Sequence, residues 1–195
     1  MTRIGSVSEL PSWYPGTEAK PAPLPLLRVQ GFVNTRDLED ATDVLDVPAT
    51  ARQWLLDAGL LDGRSEVSAS DLERARAVRE ANRALIEADG PGGDGRLEPL
   101  RQLAASHRAR LTLGEDGTIA LENSGHGGLD DGLFELMLII HCAQRDGIWS
   151  RLKICANDEC QWAFFDRSKN HQGNWCDMSV CGNRLKNREL RARRR

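Results

Sequence analysis

The chain has 195 residues, enough for one ordinary domain or one larger domain with a small appended module. No apolar run approaches the roughly 20 residues that span a bilayer, and no basic start precedes an apolar core, so the sequence reads as a soluble cytoplasmic protein with reduced thiols. The net charge of −3 is split: residues 1–150 carry 15 Lys+Arg against 24 Asp+Glu (−9), and residues 151–195 carry 11 against 5 (+6), the pattern of a polyanion-binding end on an acidic body.

Residues 1–25 hold Pro11, Pro15, Pro21, Pro23 and Pro25 and read as an extended arm, ordered only where it packs on the body. The run Leu26 to Thr35 is apolar enough for a short buried helix. Asp46-Val47-Pro48 marks a helix start with proline in the first turn, and Gly59 marks its stop. Ser70 and Glu73 have capping-box spacing. Behind them Leu72, Ala75, Val78, Asn82, Leu85 and Ile86 recur at helical intervals up to Asp89. Gly90-Pro91-Gly92-Gly93 breaks the chain, and Leu97, Leu100, Leu103 and Ala104 outline another amphipathic helix. Leu111–Leu113 and Thr118–Leu121 read as a hairpin joined by four residues. Residues 129–144, with Leu133, Phe134, Met137, Leu138 and Ile140, read as the central buried helix, with His141 and Cys142 as core residues. The expected architecture is mainly α with a small β-hairpin (residues 26–149), followed by a separate module over 150–195.

That module carries the strongest signal. Cys155-x4-Cys160 is followed by fifteen residues and then by Cys176-x4-Cys181. In a reducing compartment two such pairs read as four thiolate ligands for one zinc ion, and four thiolates close the coordination shell, so the metal is structural. Leu152–Ile154 and Trp162–Phe165 read as strands flanking the first pair. Met178 opens a helix capped by Asp177, with Cys181 in its first turn. This is a treble-clef-like four-cysteine zinc finger. His171, between the two pairs, reads as a loop residue because four cysteines already complete the shell.

The string Trp175-Cys176-Asp-Met178-Ser-Val-Cys181-Gly-Asn-Arg184-Leu-Lys186, with CANDEC upstream and Phe164-Phe165-Asp166, resembles the signature of the CGNR zinc-finger family. Residues 26–150, with Phe32-Val-Asn-Thr35 near their start, resemble the accompanying ABATE domain, a predicted stress-induced regulator module of bacteria. The resemblance implies a transcription regulator whose zinc module binds nucleic acid and whose helical domain senses a ligand.

The tail supplies matching chemistry. Arg184, Lys186, Arg188, Arg191, Arg193, Arg194 and Arg195 are seven cations in twelve residues. On a helix, 184, 188, 191 and 195 line one face. Such cations neutralise phosphates, arginine reads guanine bidentately, and Asn183 and Asn187 add amide contacts. DNA is the expected partner ahead of RNA. The alternatives are a solvated helix end or an adaptor that binds protein, and Arg184 reads equally as paired to an acid of the body, such as Asp166 or Glu159. Asn34, Thr35 and Arg36 either line a small-molecule pocket or cap the first helix, and a homodimer is left open. Gly125-His126-Gly127-Gly128 lacks the Lys-Ser/Thr of a phosphate loop, and no motif names a reaction, so the chain does not read as an enzyme.

Overall fold

The computed structural model describes residues 10–14, 20–87, 95–125 and 127–184. Five α-helices and three two-stranded antiparallel pairs make up the described fold. The first helix, α1 (Leu27–Val33), is buried almost throughout. A minimal pair follows, β1 (Arg36–Asp37) with β2 (Thr42–Asp43), which two-residue strands without alternation give the sequence no means to announce. Next are α2 (Pro48–Asp57), with proline in its first turn and Gly59 at φ +68° just beyond it, and α3 (Ala69–Glu87). The α3 start is capped two residues earlier than the sequence suggested. Ser68 Oγ accepts from the Asp71 amide at 3.2 Å and the Asp71 carboxylate accepts from the Ser68 amide at 2.8 Å, so the capping box is Ser68/Asp71 and not Ser70/Glu73.

Helix α4 (Glu98–Ser106) buries Leu100 and Leu103 but leaves Ala104 exposed. The hairpin of β3 (Ala109–Leu113) and β4 (Ile119–Asn123) pairs Leu113 with Ile119, so five residues join the strands, one more than expected. Thr118 stays in the turn because the Asp116 carboxylate takes both its amide and its hydroxyl, at 3.0 and 2.8 Å. Helix α5 (Leu129–Arg145) is the central apolar element, with Leu133, Leu136 and Ile140 among its buried residues. His141 and Cys142, read from sequence as core, are exposed. The apolar stripe of α5 does not pass through those two positions.

The chain then enters β5 (Leu152–Ile154) and β6 (Ala163–Phe165), and ends its described part in a π-helical turn over Met178–Gly182 that continues as α-helix through 184. Leu152 and Phe165 belong to the same core as α1, α3 and α5, so the last strands are part of the main hydrophobic cluster. The described arm packs on this body, with Trp13 edge-on against Trp54 and its carbonyl accepting from the Trp54 indole at 3.0 Å. No helix among the described residues is long and apolar enough to cross a membrane.

Candidate metal centre

The turn between β5 and β6 carries the first two cysteines. Strand pairing brings Ile154 opposite Ala163, and the Cys155 amide donates to the Trp162 carbonyl at 2.9 Å, which closes the loop. Within it Asn157 accepts at its backbone from the Cys160 amide at 2.9 Å. The second pair sits at the helical turn. Asp177 caps that turn, its carboxylate accepting from the Ser179 and Val180 amides at 2.6 and 3.2 Å, so Cys181 sits in the first turn, as its spacing suggests. The Ser179 hydrogen bonds, with those of Val180, hold the Asp177 carboxyl below the usual carboxylate range.

The four Sγ atoms of Cys155, Cys160, Cys176 and Cys181 lie within 4.8 Å of one another, and Cys155, Cys160 and Cys181 are buried. Cys176 Sγ stands 3.7 Å from both Cys160 Sγ and Cys181 Sγ. Thiolates at the zinc–sulfur distance of about 2.3 Å around a tetrahedral ion are about 3.8 Å apart, so the donor set fits one zinc ion. The electrostatics point the same way. Hydrogen bonds from Cys160 and Cys176 draw the Cys155 thiol down to about 2. That thiolate in turn pushes Cys160 up to about 12, and Cys176 rises further for the same reason. Four thiolates in this space need a cation among them. Bound zinc supplies fold stability and, with its shell filled, no open position for chemistry.

Around the ligands lies a support layer. Asn157 Nδ2 reaches Cys181 Sγ at 3.7 Å, a long donor contact to a ligand sulfur. Phe164 is fully buried beneath the site, with Lys20 over its ring at 4.8 Å. Asp166, also buried, binds the loop between the cysteine pairs. It accepts from Lys153 Nζ at 2.9 Å, from the Ser168 amide at 3.0 Å and from the Gly173 amide at 2.8 Å. A Cβ at Gly173 would lie 2.8 Å from the Asp166 carboxyl carbon, so this close approach requires glycine. Burial works against the Asp166 carboxylate, but these hydrogen bonds outweigh it and hold the group far below its ordinary range. His171 lies in this exposed loop and is not among the clustered ligands.

Two amides, Gln30 on α1 and Asn34 at its C-cap, fasten this hairpin to the body. Asn34 accepts from the Ala163 amide at 2.7 Å and donates to its carbonyl at 2.9 Å. Gln30, one turn earlier and fully buried, donates to the same carbonyl at 3.0 Å. Thr35 accepts from Arg79 at 3.1 Å, and Arg79 forks onto Asp43 with two bonds of 2.7 Å. Although burial raises the Asp43 carboxyl, the Arg79 bonds hold it below its ordinary value. Arg83, one turn on, donates to the carbonyls of Val33 (2.9 Å) and Gln161. Arg79 and Arg83 were not singled out from sequence. The available signal was two arginines in phase with the apolar stripe of α3. A cavity of about 540 Å³ lies between the β1–β2 pair and α3. Arg36 lines it, with Asp43, Arg76 and Glu80, whereas Asn34 and Thr35 are not among its lining residues.

Of the residues expected to meet nucleic acid, Asn183 and Arg184 are exposed directly after Cys181. Lys186, Asn187, Arg188, Arg191, Arg193, Arg194 and Arg195 lie outside the described residues. Arg184 pairs with an acid of the body, as expected, and that acid is Glu39 from the β1–β2 connection, with Glu159 adding a weaker attraction. Asp166 is already committed to its own loop. The glycine loop before α5 offers no free cradle: the Asp131 carboxylate accepts from the Gly127 and Gly128 amides at 3.0 and 3.3 Å, and His126 lies outside the described residues.

Compared with known proteins, residues 28–144 match the family model of ABATE, described as "Putative stress-induced transcription regulator". Residues 151–194 match that of the CGNR zinc finger. No curated protein matches the chain.

Proposed function

The chain belongs to the ABATE family and ends in a CGNR zinc finger, and from this we propose that it is a cytoplasmic, non-enzymatic regulator of transcription that binds nucleic acid. The observation that carries the reading is the position of Cys181. It anchors the turn from which Asn183 and Arg184 emerge exposed, and seven cations in twelve residues run from that point. The zinc does no chemistry in this reading. It fixes the turn that precedes a cation-rich stretch of sequence. Duplex DNA is favoured over RNA because arginine forks reach guanine edges in an open major groove, whereas the A-form major groove is too narrow for side chains.

Fluorescence anisotropy with duplex DNA and with an RNA hairpin, over a salt series, tests this. The expected result is tighter binding to the duplex, with log affinity falling linearly in log salt, and loss of binding on zinc chelation. No binding at low salt, or binding without a salt slope, defeats it. The cavity beside Arg36 and Arg79 supports a sensor role for the body toward a small polar effector. A thermal-shift screen of such compounds that moves nothing counts against that part. A second reading, a protein-binding adaptor, is favoured by the exposed Met178 and Val180 on the zinc-bound turn. A stable co-purifying protein in the absence of nucleic-acid binding would select it.

A further inference from the structure

The cavity of about 540 Å³ between the β1–β2 pair and α3 is lined by charges of two kinds, engaged and open. The inner ones are engaged. Asp43 accepts from Arg79 through both carboxylate oxygens, and Glu80 accepts from Arg79 through one oxygen and from Arg83 through the other. The outer ones are open. The Arg76 guanidinium donates to the Leu45 carbonyl at 2.8 Å and otherwise stands 3.6 Å from Asp46, outside hydrogen-bond range. The Arg36 guanidinium makes only a loose ion pair, with Glu80 at 3.5 Å. Asp37 accepts from the Glu39 and Asp40 amides at 2.8 and 3.1 Å through Oδ1 alone, and the Asp46 side chain is 66% exposed. A guanidinium has five N–H donors and a carboxylate about four acceptor sites, so two arginines and two aspartates around one cavity keep most of their capacity.

We propose that this cavity binds a free α-amino acid with a polar side chain, which rests on the sensor part of the proposed function and names the effector class. The open charges, two positive and two negative, select it. A simple anion reaching Arg36 and Arg76 would face Asp37 and Asp46, and a simple cation at the aspartates would face the arginines. A zwitterion meets both. The spacing of Arg76 and Asp46 selects further. An α-amino acid holds its carboxylate and ammonium one carbon apart, so the carboxylate can accept from the open N–H groups of Arg76 while the ammonium donates to Asp46. One loose ion pair is thereby replaced by charge-assisted hydrogen bonds. Arg36 and Asp37 remain for the ligand's side chain. Among the described lining residues Leu38 is the one large aliphatic group, which disfavours bulky apolar amino acids. The volume lies within the range of small-molecule pockets, roughly 300–1,000 Å³.

Isothermal titration calorimetry of the full zinc-loaded chain, with the polar L-amino acids added one at a time and no nucleic acid present, tests it. The expected result is saturable binding of at least one of them. Affinity should fall about tenfold or more when the same compound carries an N-acetyl group, or a carboxamide in place of its carboxylate. Asp46→Asn and Arg76→Gln should each weaken binding to a similar degree. Asp46 is the cleaner site, because its exposed side chain makes only the loose pair with Arg76. Arg74→Gln, whose parent side chain pairs with Asp71 and Asp130 and does not line the cavity, should bind like the parent. Unchanged zinc content and melting temperature will verify folding. No binding of any of these amino acids overturns the proposal, as does equal affinity for the blocked analogues, for succinate or for inorganic phosphate. So does binding that survives both Asp46→Asn and Arg76→Gln. Binding of succinate or phosphate alone would refute the amino acid and leave the sensor role standing, whereas silence here and in the thermal-shift screen would remove both.

Discussion

The β5–β6 and β3–β4 hairpins are the same local object, two short antiparallel strands joined by a turn, in opposite surroundings. Every residue of β6 is buried, its edge is taken up by Gln30, Asn34 and the arm, and its turn carries two metal ligands. In β3 and β4 the apolar face is open and no residue is fully buried. The difference shows that hairpin formation and hairpin burial are set by different residues. Pairing needs only extended strands and a turn. Burial of β6 needs amides on a distant helix that match its edge.

The largest effect expected is from breaking the buried hairpin at its metal. Chelation, or Cys176→Ala, should unfold the segment from 152 to 184, since structural zinc sites contribute about 10–16 kcal/mol of apparent binding energy at neutral pH. Metal analysis should give one zinc per chain, and fluorescence of Trp162 and Trp175 should report the loss. Helices α2, α4 and α5 should keep their far-UV signal. Binding zinc displaces protons from Cys160 and Cys176, whose thiols are pushed upward, so affinity should rise with pH and fall in acid. A pH-independent affinity would contradict the four-thiolate site.

Next in size are the joints. Phe164→Ala should cost about 3–5 kcal/mol in chemical denaturation. Asn34→Ala leaves the buried Ala163 amide without its acceptor and should cost about 1–3 kcal/mol. If Asn34 instead serves a ligand, stability should hold while an effector response is lost. Asp166 adds a pH signature. Its folded pKa is depressed, so its contribution is complete above the unfolded value of about 4 and is lost as pH falls below it. Asp166→Asn should flatten stability across that acid range.

Much of this was legible in the residues, for identifiable reasons. Four cysteines at paired spacing define a metal site because ligand chemistry admits few alternatives, and the Asp177 cap follows from local sequence alone. The long helices follow from their apolar period. What stayed hidden was tertiary pairing. Asn34 and Thr35 read as pocket or cap, and their role as a joint emerges only when β6 and Arg79 are placed beside them. The side of the β3–β4 alternation that faces solvent is likewise invisible, because a period of two gives two faces without saying which is in. His141 and Cys142 missed for a related reason: they follow Ile139 and Ile140, but α5 has turned its apolar stripe away by then.

Small effects on folding should come from the open hairpin. Leu113→Lys/Ile119→Lys should change stability by no more than about 0.5 kcal/mol, against several for Phe164→Ala. A large loss would mean that the face is covered within one chain.

The smallest effect concerns an exposed contact between the body and the end of the zinc module. Glu39, in the acidic β1–β2 connection, holds Arg184 at the start of the cationic segment, and both side chains are about half exposed. Phosphate and Glu39 would compete for the same guanidinium. Exposed pairs of this kind are weak, so Glu39→Gln should tighten binding to duplex DNA by less than about fivefold. The gain should shrink as salt rises, because salt screens the pair that has been removed. Arg184→Gln should weaken binding, and in that background Glu39→Gln should make no further difference. Additive effects of the two substitutions would mean that Glu39 repels nucleic acid directly and that the ion pair plays no part.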